Sequence, residues 1–196
     1  MSNGREYTDS EEAAALHAVL ADPVCRLILE RTPGLGLPEW WLTGGAVFQN
    51  IWNTMEAREP GYGISDYDLF YFDDSDLSWQ AEDRVLSEAK ELFGDVGAKI
   101  EIRNEARVHL WYEEKFGKTM RPFVNAAEAT DSFASATCAV GVTRDERGLR
   151  LYAPYGLADV FAMHVRPNHR LAPRGVYEEK VRTYTARWPS LTHDPW

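Results

Sequence analysis

The sequence predicts a chain of mixed α/β (α+β) class, on three observations. Val47, Ile51 and Met55 recur at i, i+4 and i+8 directly behind a double glycine, Gly44-Gly45, with the period of an amphipathic helix. Ile64 to Phe72 is a short aromatic run that follows a glycine- and proline-rich loop and reads as strand. Lys99 to Asn104 alternates charged and apolar residues, the pattern of a half-exposed strand, and follows a second helical stretch from Ala81 to Phe93.

The remaining elements follow in order. Met1 to Tyr7 is polar and expected to fray. Thr8 is a capping residue with acidic residues in the turn behind it, so a helix runs to Leu20; Asp22-Pro23 breaks it and starts another that ends near Arg31. Thr32 to Pro38 is a loop by its glycine and proline density, and Trp40 to Thr43 reads as a first strand. Asp73-Asp74-Ser75-Asp76 closes the aromatic strand. A short helical turn is expected at His109–Tyr112, a loop at Lys115–Pro122 and a helix at Asn125–Phe133. Cys138–Thr143 and Leu149–Tyr152 read as two strands joined by a hairpin over Arg144–Gly148. A helix over Leu157–Met163, a tight turn at Arg166-Pro167-Asn168 and a last helix over Val176–Arg187 complete the chain.

At 196 residues, with 44% hydrophobic residues and seven tryptophans, the chain has enough apolar bulk for a packed core. Its net charge of -10 disfavours a long nucleic acid as partner, because neutralising phosphates takes clustered Lys and Arg. Cys25 and Cys138 have no metal-ligand spacing and read as buried, reduced thiols. With no apolar run near the ~20 residues of a membrane span and no signal-peptide pattern, the expectation is a soluble cytoplasmic protein.

The chemistry concentrates between Trp41 and Asp73. Side chains alternate along a strand, so Asp66 and Asp68 face the same way, about 6.6 Å apart at ~3.3 Å per residue. Two carboxylates so placed can converge on a divalent cation, and Mg2+ keeps positions open for substrate phosphates. The glycine turn ahead of a helix offers backbone N–H groups to an anion. Together these features read as a place for a nucleoside triphosphate (NTP) and its metal. Glu101, facing opposite to Ile100 and Ile102, is the candidate third carboxylate, to hold metal or take a proton, provided its strand neighbours the first. An ordinary exposed strand residue is the competing account. Asn50 can line the nucleotide site or make core hydrogen bonds, and Arg107 can meet a phosphate or form a structural ion pair. His109 reads as a packing residue, Arg166 and Asn168 as structural.

Gly44-Gly45, a helix, Asp66-x-Asp68 on a strand and an acid on a later strand resemble the DNA polymerase beta-like nucleotidyltransferase superfamily. The longer strings Gly44-Gly45-Ala46-x-x-Gln49-Asn50-Ile51-Trp52-Asn53, Asp66-Tyr67-Asp68-Leu69-Phe70-Tyr71-Phe72-Asp73 and Asn104-Glu105-Ala106-Arg107-Val108-His109 resemble a mainly bacterial family within it. So do Ala153 to Phe161 and Val165-Arg166-Pro167-Asn168, and the likeness spans roughly Leu16 to Trp188. It implies a mixed sheet flanked by helices, with metal carboxylates on adjacent strands. Residues 1–196 would form one nucleotidyltransferase-like domain, with N-terminal helices over about 8–31 and a hairpin and helical region over about 138–188. Asp66, Asp68 and Glu101 would carry Mg2+ and catalysis, while Gly44 and Gly45, with Asn50 and Arg107, would hold the NTP. The implied reaction moves a nucleoside monophosphate to an acceptor hydroxyl of a small molecule or protein. A non-catalytic nucleotide-binding module and a structural cation site are the rival readings.

Overall fold

Thr8 and Glu11 open the first helix, α1 (Asp9–Ala21), with a reciprocal capping box. The Thr8 hydroxyl accepts from the Glu11 N–H at 3.2 Å and the Glu11 carboxylate accepts from the Thr8 N–H at 2.7 Å. Asp22 then caps α2 (Pro23–Arg31), accepting from the Val24 N–H at 2.9 Å, with Pro23 in the first turn where its missing N–H costs nothing. A computed structural model describes residues 6–196, so of the fraying expected for Met1–Tyr7 the part over Met1–Arg5 lies outside the described residues, while the Tyr7 hydroxyl donates to the Leu151 carbonyl at 3.0 Å. The Thr32–Leu35 stretch forms a 3-10 turn within the expected loop.

β1 (Trp41–Thr43) runs through Gly44 into α3 (Gly45–Met55), and β2 (Tyr67–Tyr71) follows. α4 (Trp79–Phe93) crosses over to β3 (Ile100–Asn104), which pairs parallel with β2, as parallel pairing requires a crossover. A 3-10 helix over Glu105–Leu110, α5 (Tyr112–Phe116) and α6 (Ala126–Asp131) come next, then the hairpin of β4 (Gly141–Asp145) and β5 (Gly148–Tyr152). The chain ends with α7 (Ala158–Phe161), β6 (His164–Val165), α8 (Arg174–Arg187) and β7 (Thr192–His193). The main sheet has the order β3-β2-β1-β4-β5, parallel at β2–β3 and antiparallel elsewhere, while β6 and β7 pair apart from it.

Besides shifts of one or two residues at the ends of other helices, four expected boundaries move. β2 starts at Tyr67, so Asp66 precedes the ladder instead of sitting in it. Cys138 to Val140 turns before β4 begins. The turn expected at His109–Tyr112 begins at Glu105, because the Asn104 side chain caps it at Ala106. α7 stops at Phe161, ahead of Met163 with its positive φ.

Register decides which face does what. Leu42 lies opposite Leu69 and Val142, and Leu69 opposite Ile102; this row is buried against the helices in the larger core. The alternate row holds Thr43, Asp68 and Glu101, then Trp41, Phe70 and Arg103. Part of that second face lies under residues 105–133, where Phe70, Val108, Tyr112, Phe123 and Ala129 form a smaller apolar cluster.

The larger core closes on tryptophans. Trp52 and Trp188 are fully buried, edge-to-face with centroids 5.4 Å apart, and their ring N–H groups donate to the Val160 carbonyl and the Asn53 side chain. Gly63 lets the loop pass this stack, because a Cβ there would sit 2.6 Å from the Trp188 ring. Trp188→Ala is expected to cost about 3–5 kcal/mol, read as a lowered midpoint in urea denaturation.

Candidate active site

Gly44 sits at φ 63 and ψ -130, a conformation closed to residues with a Cβ. It ends β1 beside the start of β2. A Cβ on Gly44 would lie 3.6 Å from Asp68 Oδ2 and 3.5 Å from the Phe133 ring. α3 begins there without a side-chain cap, so its N-terminal N–H groups and dipole face this corner. Gly45 is covered by Gln49, whose amide nitrogen would be 2.8 Å from an added Cβ and whose Oε1 is buried without a partner.

Asp68 is paired in register with Glu101 on one side and Thr43 on the other. Asp66 stands one step outside the strand, half-buried, with Lys99 Nζ 3.8 Å from Oδ2. Lys99 also binds Glu101, and Arg103 binds Glu101 at 2.5 Å. Bonds from Lys99 and Arg103 hold the Glu101 carboxyl below the usual carboxylate range. Burial, with the charges of Asp66 and Glu101, pushes the Asp68 carboxyl up to about 6. Among the described residues no group of three His, Cys, Asp or Glu stands ready as a metal cage. Of the three expected acids, register pairs Asp68 with Glu101 while Asp66 stands one step outside the ladder, and the Glu101 carboxylate is engaged by two cations. The aspartates do suit a hard divalent cation: they are oxygen donors, and Asp68 lies in a surplus of negative charge that such an ion would relieve.

Two expected nucleotide ligands lie elsewhere. Asn50 is 1% exposed; its amide donates to Asp22 at 3.1 Å and to the Ala46 carbonyl at 2.9 Å, and its oxygen accepts from the Gly61 N–H at 2.9 Å. With Cys25 and Tyr67, which also donate to Asp22, it ties α2, α3 and β2 together. Arg107 pairs with Glu82 and donates to the Leu77 carbonyl at 3.1 Å, anchoring the 3-10 helix to the start of α4. In both cases the core or structural alternative describes the side chain, because an acceptor within the fold satisfies it.

Sequence reasoning passed over Glu105, Lys99, Arg103 and Phe133. Glu105 is 4% exposed at the end of β3, on the site face, and burial pushes its carboxyl up to about 8. Its place in the Asn104–His109 string was the available signal, but depth is not written in a string. The Tyr155 and Asn168 motifs meet at Asp131: both donate to its carbonyl, at 2.9 and 2.7 Å, while Tyr152 reaches its carboxylate at 2.6 Å. This network holds α6 over the site.

A glycine turn opens a helix beside two register-paired acids on a mixed sheet, the arrangement of a nucleotidyltransferase fold. The chain matches the family model described as Nucleotidyltransferase over residues 30–193 and belongs to that family. A protein solved by NMR and described as revealing a CCA-adding enzyme head domain is similar in fold, with a TM-score of 0.72 at 23% identity over 93% of this chain and 95% of that one. No curated protein matches the sequence. Among the described residues no helix is long and apolar enough to cross a membrane.

Asn50→Ala is expected to lower stability by roughly 1–3 kcal/mol while leaving nucleotide affinity per folded molecule unchanged, measured by urea denaturation and calorimetry. A raised acid stabilises the fold fully only below its unfolded value, and that contribution is lost as pH rises through the folded value. Asp68, with an ordinary value of 3.8 raised to about 6, therefore weakens the metal-free fold at neutral pH. Asp68→Asn should match wild type in acid and exceed it by roughly 1–3 kcal/mol at pH 8, by denaturation in chelator.

Proposed function

We propose that the protein transfers a nucleoside monophosphate from an NTP to an acceptor hydroxyl, with magnesium bound by Asp66 and Asp68. The observation that carries this reading is the juxtaposition of Gly44, Asp68 and Glu101 across three adjacent strands, with the uncapped start of α3 next to them. The Gly44 N–H is taken by the Val140 carbonyl, so the N–H groups from Gly45 onward and the α3 dipole receive the triphosphate's anionic oxygens. Asp66 and Asp68 would hold the metal, which when bound neutralises phosphate charge and polarises the phosphorus centre.

The acceptor oxygen forms a bond to the α-phosphorus, the bond from that phosphorus to the bridging oxygen breaks, and pyrophosphate leaves with the electron pair. Glu101, kept ionised by Lys99 and Arg103, accepts the hydroxyl hydrogen bond and its proton as the new bond forms. Lys99 and Arg103 place positive charge beside the phosphate. Positioning and charge neutralisation are the protein's main contributions to such a transfer.

The double ion pair on Glu101 favours one second reading, a nucleotide-binding module without turnover, because a carboxylate so engaged is a weak base. Pyrophosphate release separates the two. Wild-type protein with magnesium and the four NTPs is expected to release pyrophosphate once an acceptor is supplied. Asp66→Ala/Asp68→Ala should reduce that release at least roughly 100-fold while circular dichroism shows an intact fold. Equal release by a well-folded double variant would remove the mechanism, and tight magnesium-dependent binding without release under any acceptor would favour the module.

A further inference from the structure

Beside Asp68, under the 105–133 segment, lies a cavity of about 180 Å3 walled by Phe70, Trp111, Phe123, Phe133 and Leu171. It lies over β2 and β3, while the glycine turn is on the β1 side of Asp68, with the Phe133 ring between them. In an in-line displacement the attacking hydroxyl enters opposite the leaving pyrophosphate. With the triphosphate on Gly44-Gly45, the cavity is therefore on the acceptor's side.

Its chemistry is specific. Glu105 lines the cavity and is 4% exposed, yet among the described residues no group donates a hydrogen bond to its carboxyl or forms an ion pair with it. Its oxygens are not fully sealed from solvent, but a carboxyl held at that depth without a partner is still costly. Arg103 also lines the cavity, but its guanidinium is bonded to Glu101 at 2.5 Å and makes no ion pair with Glu105. Aromatic walls around an unanswered acid suit a cation attached to a ring, through charge-assisted hydrogen bonds at one end and ring contacts at the other. The volume suffices, since a cavity of ~150 Å3 lined by apolar side chains holds benzene.

We infer that this cavity is the acceptor pocket and that its acceptor is a small amine: an apolar ring between Trp111, Phe123 and Phe133, its ammonium on the Glu105 carboxyl and its hydroxyl beside Asp68. The acceptor assignment rests on the transfer reading above. The amine preference rests on the cavity and Glu105.

Benzylamine, benzyl alcohol and benzoate share one ring and differ in charge, so they probe the pocket directly. Binding of each to the full chain is measured by calorimetry or NMR titration, with magnesium–NTP binding followed in the same samples. Benzylamine is expected to bind roughly tenfold tighter than benzyl alcohol, with benzoate weakest. Glu105→Gln should bring benzylamine to the level of the alcohol while the alcohol keeps its affinity. Ala129→Leu, which fills the cavity from α6, should remove binding of all three. Equal affinities in wild type, no benzylamine binding at millimolar concentration, or a preference that survives Glu105→Gln would overturn the inference alone if magnesium–NTP binding is intact. An amine preference without any nucleotide binding would overturn the acceptor assignment together with the transfer reading.

Discussion

The register of three strands is the constraint on which the rest depends. Thr43, Asp68 and Glu101 are paired side by side, one residue each from β1, β2 and β3. A slip of one residue on β2 would send Asp68 into the row of Leu42, Leu69 and Ile102 and bring Leu69 to the site face. The buried row makes that slip prohibitive, because its apolar residues are sealed between the sheet and the helices. Hydrophobic burial on one face thus fixes the spacing of charges on the other. The parallel pairing of β2 with β3 adds the next requirement, a crossover, and α4 supplies it while Ser78 caps its start.

The site is costly to the fold. Like charges at Asp66, Asp68 and Glu101 repel, and burial of Asp68 adds to the cost. Lys99 and Arg103 offset part of it by binding Glu101, and Asp66 has Lys99 within 4 Å. What stays unbalanced at Asp68, and costly to ionise at Glu105, is where a cationic ligand gains most. A polar surplus of this kind is retained in a folded protein when binding or chemistry uses it.

Two other aspartates, Asp22 buried and Asp131 half-buried, do the opposite work. Asp22 accepts from Cys25, Asn50 and Tyr67, and Asp131 from Tyr152 and Arg170, with its carbonyl taking Tyr155 and Asn168. Each is a satisfied hub, and each joins segments far apart in sequence: the first sets α2 against α3 and β2, the second sets α6 against the hairpin and the turn at Arg166-Pro167-Asn168. Together they place the glycine corner and the lid of the cavity relative to the sheet without contributing a ligand.

By itself the sequence determined the elements and the identity of the corner. Helix periodicity behind Gly44-Gly45, the alternation of Lys99–Asn104 and the caps at Thr8 and Asp22 are local effects of backbone geometry, and local effects are legible in a string. The family resemblance came from the same short range, whereas Asp66, expected on the strand with Asp68, lies ahead of it. Only the tertiary structure decided what each polar side chain meets. Asn50 and Arg107 have the right chemistry for a phosphate, but the buried Asp22 and the half-buried Glu82 claim them. Glu105 reads as one more charge in a polar string until the fold buries it beneath Phe123 and Trp111. Depth and partnership depend on contacts between residues distant in the chain, and no local pattern encodes them.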